Sequence, residues 1–66
     1  MKKSNLVVGT KVQVKSDSGR FYSWHAGELG EITRVDESGS DLDVKVEFAG
    51  GDTDWGNHKD LKLVRD

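Results

Sequence analysis

The sequence predicts an all-β domain, a five-stranded, strongly bent antiparallel barrel with a short 3₁₀ turn before its last strand. Three observations predict it. Val44, Val46 and Phe48 recur at strict period two, with Asp43, Lys45 and Glu47 between them, the alternation of a half-buried strand. Turn-forming clusters built on Gly, Asp and Ser punctuate the chain at short intervals. Nowhere is there an amphipathic stretch of helical length.

The elements follow in order. Residues 1–5 are expected to form a flexible arm and residues 6–66 the single domain. Val8, Val12 and Val14 share one parity, with Lys11, Gln13 and Lys15 on the other, which gives the first strand an apolar and a polar face. Asp17-Ser18-Gly19 ends it. Leu29, Ile32 and Val35 come next at a spacing of three, too short a run between glycines for a helix. This segment reads as a strand that bends or bulges near Gly30.

Glu37-Ser38-Gly39-Ser40 is a turn, and Val44–Phe48 then pairs with the Ile32 segment as a hairpin. Ala49-Gly50-Gly51-Asp52 turns the chain again into a short strand, Thr53-Asp54-Trp55. A tight link at Gly56-Asn57-His58-Lys59 suits one 3₁₀ turn, with His58 beside Asp60 stabilising the entry to the last strand. Leu61 and Leu63 close the sheet. The expected core is Val12, Val14, Leu29, Ile32, Val35, Val44, Val46, Phe48, Leu61 and Leu63.

Composition narrows the function classes. With 66 residues there is material for one core, and with no Cys there is neither a disulfide framework nor a thiolate metal site. The apolar run Leu6-Val7-Val8 is too short for a signal peptide or a membrane span, so a soluble, cytoplasmic protein without membrane association is expected. The net charge of -2 conceals an uneven distribution. Residues 1–20 hold Lys2, Lys3, Lys11, Lys15 and Arg20 against Asp17 alone, whereas residues 28–54 hold nine acids against Arg34 and Lys45. Residues 21–27, between these blocks, are uncharged and carry Phe21, Tyr22 and Trp24.

Several stretches resemble known families. Val12-x-Val14, Gly19-x-Phe21 and Gly27-Glu-Leu-Gly30-Glu-Ile32-Thr-Arg-Val35-Asp36 together resemble the KOW motif of the SH3-like barrel superfamily. The loop from Phe21 to Gly27 is longer than KOW spacing allows. The C-terminal half, Val44-Lys45-Val46-Glu47-Phe48, Gly50-Gly51 and Asp60-Leu61-Lys62-Leu63-Val64, resembles the SH3-like domains of Mind-bomb/HERC type. By pattern the chain is also similar to the SH3-like accessory subunit of photosystem I. These resemblances imply one fold, an SH3-like barrel, and different partners: ribosomal RNA or transcription machinery, protein segments, or subunits of a membrane complex. What they share implies a non-catalytic binding module.

The expected contact surface is Arg20, Phe21, Tyr22, Trp24 and His25 with Trp55 and Asn57. The SH3-like resemblance implies that Trp24 approaches Trp55, and exposed aromatic rings give rigid contact area for a protein partner. The opposing reading is that the two Trp rings complete a small core. The alternative function is RNA or DNA binding, with Lys11, Lys15 and Lys59 meeting phosphates beside the aromatic rings. The acidic block 28–54 opposes phosphate and favours protein.

His25, His58, Asp52 and Asp54 are the candidate metal ligands, but no ligand-spacing motif joins them. Asp36–Asp41 has only the composition of a calcium loop. Ser23 with His25 lacks an orienting acid and an oxyanion site, so no catalytic residues, metal or cofactor are expected. A Met-initiated single domain of this kind is expected to be an accessory or regulatory factor, as a monomer or weak homo-oligomer.

Overall fold

The computed structural model describes residues 5–16 and 25–64. Five strands are formed: β1 (Lys11–Val14), β2 (Leu29–Val35), β3 (Val44–Phe48), β4 (Thr53–Gly56) and β5 (Leu61–Leu63). They pair antiparallel in one sheet of order β4-β3-β2-β1-β5. The first four strands form a meander. A 3₁₀ turn, His58–Asp60, then carries the chain across to place β5 beside β1. The all-β class, the five strands and the 3₁₀ turn are as the sequence predicts. This order is compatible with an SH3-like fold; β4 and β5 are its two edges, and among the described residues no ladder joins them.

Period two sets the core. Val12, Val14, Ile32, Val44, Val46, Phe48 and Leu61 are buried in one cluster, with Leu6 and Val35 packed against it. Leu29, expected in the core, is instead 55% exposed. Its cross-strand partner is Gln13, on the outer face, and the inward position belongs to its neighbour Gly30. Gly30 sits across from both Val12 and Phe48, where a Cβ would lie 2.5 Å from Val46 Cγ1 and 2.8 Å from the Glu47 carbonyl oxygen. Only glycine fits there without displacement.

The spacing of three is resolved by a register shift between Ile32 and Arg34, not by a bend at Gly30. Thr33 is the extra residue. Its insertion lets Ile32 and Val35 face Val46 and Val44 on the same side, and its hydroxyl donates to the Lys45 carbonyl at 3.3 Å. Val8, expected in the first strand, likewise lies outside it. The amide of Thr10 bonds the Val7 carbonyl in a turn through Gly9 (φ 96°), which leaves Val8 62% exposed. Leu63, also expected in the core, is half-buried at the end of β5.

Candidate functional site

The site is built where the β2–β3 loop meets the 3₁₀ turn. Asp36 leaves β2 and accepts the Ser38 amide at 2.9 Å, which tightens the loop locally. Hydrogen bonds from the Ser38 side chain and then its amide hold the Asp36 carboxyl below its ordinary value. Ser40 repeats the device by accepting the Leu42 amide at 3.1 Å. At the other end of the loop the Asp36 amide bonds the Asp43 carbonyl, closing the hairpin.

Asp43 is the centre of the arrangement. Its Oδ1 accepts the His58 backbone N–H at 2.9 Å, and its Oδ2 lies 2.6 Å from the His58 Nδ1. Asp43 is 7% and His58 8% exposed. A carboxylate only accepts, so Nδ1–H is the donor and Nε2 is the open ring position. Nε2 has no partner among the described residues, and no side-chain nitrogen or oxygen there is both buried and unpartnered. Nε2 therefore reaches solvent.

Asn57 completes the turn. Its Oδ1 accepts the Lys59 amide at 2.9 Å as the N-cap, and its Nδ2 donates to the Asp41 carbonyl at 3.0 Å. One residue thus caps the 3₁₀ turn and ties it to the β2–β3 loop. Between them opens a cleft of about 560 Å³, with Leu6 and Val35 as apolar wall and Asp36, Glu37, Asp41, Asn57 and His58 as polar lining. Lys59 is the single cation among its lining residues. Among the described residues no three His, Asp or Glu side chains converge as a metal-ligand set.

Among the residues singled out from the sequence, those that the structure describes are dispersed. Arg20, Phe21, Tyr22 and Trp24 lie outside the described residues, as do residues 1–4 of the expected arm and the Asp17-Ser18-Gly19 turn. The His25 ring stacks on Phe48 with centroids 3.9 Å apart and planes 9° from parallel. Its Nδ1 meets Glu28 Oε2 at 2.5 Å and its Nε2 lies 3.8 Å from Asp54 Oδ2. His25 is thereby a cover over the core edge.

Trp55 belongs to the other face of β4. Asp54 stands across from Val46 on the inward row, whereas Trp55 stands across from Lys45 on the outward row. It is 36% exposed. Asn57 is in the cleft. Of the three lysines, Lys11 pairs with Glu31, Lys15 donates its amide to the Asp60 carbonyl beyond the end of β1, and Lys59 lines the cleft. They form no common row.

Sequence reasoning missed the cleft because its key pair joins residues far apart in sequence. The sequence sets His58 beside Asp60, its near neighbour, while its partner in the structure is Asp43. The visible signal was the density of acids and small polar residues over 36–43. No protein-family model, curated protein or solved structure matches the chain.

Proposed function

We propose that the chain is a non-catalytic, SH3-like protein-interaction module whose cleft takes a basic, extended segment of a partner protein. The observation that carries this reading is the cleft itself. Asp36, Glu37 and Asp41 line it together with Asn57 and His58, and Leu6 and Val35 supply its apolar lining. A lysine or arginine side chain matches that composition, because its aliphatic stem lies on apolar surface while its charged head meets carboxylate. The aromatic stretch Phe21, Tyr22 and Trp24 enters the same reading as apolar contact area for the partner.

The acidic cleft supports protein over nucleic acid as its occupant, since phosphate is repelled there. Its role is that of an accessory or regulatory factor that docks on a larger assembly. Fluorescence anisotropy with a labelled Arg/Lys-rich peptide tests this. The double variant Glu37→Gln/Asp41→Asn is expected to weaken binding by about tenfold, at 1–2 kcal/mol for two rim charge contacts. Unchanged affinity in the double variant contradicts the reading.

A further inference from the structure

The outer face of the sheet carries a row that the cleft does not use. Arg34 of β2 stands across from Lys45 of β3, and Lys45 across from Trp55 of β4. Side chains in such register share one face and are near neighbours. Arg34 is exposed, Lys45 half-exposed and Trp55 36% exposed. Neither cation forms an ion pair among the described residues.

The row is placed by the bulge at Thr33. Without that extra residue Arg34 would fall on the inward parity set by Ile32. The neighbouring outward row is Lys11, Glu31, Glu47 and Thr53, in which Lys11 pairs with Glu31. Glu47 remains exposed and bounds the positive patch on that side. Two cations and an indole thus form a strip about 10 Å long across three strands, at the usual strand spacing.

We propose that this row binds a short single-stranded nucleic acid, with one base stacked on Trp55 and the flanking phosphates on Lys45 and Arg34. The argument is complementarity: the ligand must repeat a flat π-face and a fixed anion at short spacing, as a nucleotide chain does. An acidic peptide supplies the anion but not the π-face. The proposal does not rest on the cleft, and the two surfaces share no residue.

The test is anisotropy with a labelled deoxythymidine decamer over a salt series. Two phosphate contacts give a slope of log K against log salt of about -1.4, falling to about -0.7 in Arg34→Gln. Trp55→Ala is expected to weaken binding between about fivefold and a hundredfold, while Trp55→Phe, which keeps a ring, retains most of it. Lys62→Gln, on a different outward row beside Gln13, leaves affinity unchanged. The proposal is overturned by a slope near zero, by equal binding of Trp55→Ala and Trp55→Phe, by equal loss in Lys62→Gln and Arg34→Gln, or by equal binding of an oligoglutamate.

Discussion

Asp43 and His58, 15 residues apart in sequence, are joined by two hydrogen bonds from one carboxylate, to the His58 amide and to its ring Nδ1. This pair fixes the start of β3 to the 3₁₀ turn and so sets the cleft between them. Both residues are buried, so the bonds are shielded from water, and losing one partner strands the other.

Asp43→Ala is therefore expected to destabilise the domain by about 2–4 kcal/mol, because two donors of His58 lose their acceptor together. At about 4–8 °C per kcal/mol for a domain of this size, the melting temperature falls by roughly 8–32 °C. Thermal unfolding followed by circular dichroism reads this directly. A drop of under about 3 °C would show that the pair does not hold the turn.

Gly30→Ala places a methyl against Val46 and the backbone of Glu47. Overpacking of this kind costs about 1–3 kcal/mol. Gly50→Ala, where a Cβ meets nothing within 4 Å, is the matched control and is expected to change stability by under about 0.5 kcal/mol. Urea denaturation of both variants separates them; equal midpoints would contradict the close packing at Gly30.

How much of this was legible in the sequence follows from range. Period two in β3 is a property of adjacent residues, and it placed the strand and its core set correctly. The spacing from Ile32 to Val35 also held real information, a bulge, but the pattern does not say which residue is extra. Glycine suggested Gly30; the extra residue is Thr33. Leu29 was misplaced for the same reason, since a shift of one residue exchanges the faces of a strand. The Asp43–His58 pair is invisible locally, because each residue sits among polar neighbours that read as solvated. It exists only once the 3₁₀ turn returns the chain to the start of β3.

His25 covers Phe48 by parallel stacking, and Phe48 is only 4% exposed beneath it. His25→Ala is expected to cost about 0.5–1.5 kcal/mol beyond the area lost, and His25→Phe to recover most of it. Chemical denaturation of the two variants checks the order. If both are equally destabilised, the ring contributes through Glu28 and Asp54 and not through the stack.

Asp36 has its carboxyl lowered by Ser38, first through the side chain and then through the amide. A depressed folded-state value stabilises the fold at pH above the ordinary aspartate value. That contribution is lost as pH falls through the depressed one. The Asp36 carboxyl resonance, followed by NMR, is expected to titrate below the ordinary aspartate range, and Ser38→Ala to move the midpoint upward. An unmoved midpoint would mean that the Ser38 side chain is not a cause.

The central claim is that the cleft between the β2–β3 loop and the 3₁₀ turn is a docking site for a basic protein segment. The most direct measurement is an amide chemical-shift map during titration of the full chain with an Arg/Lys-rich peptide. The account predicts that shifts concentrate on Asp36, Ser40, Asp41, Asn57, His58 and Lys59, and that an acidic peptide of equal length leaves them in place. Shifts confined to the outer face around Lys45 and Trp55, or none at the 3₁₀ turn, would contradict it.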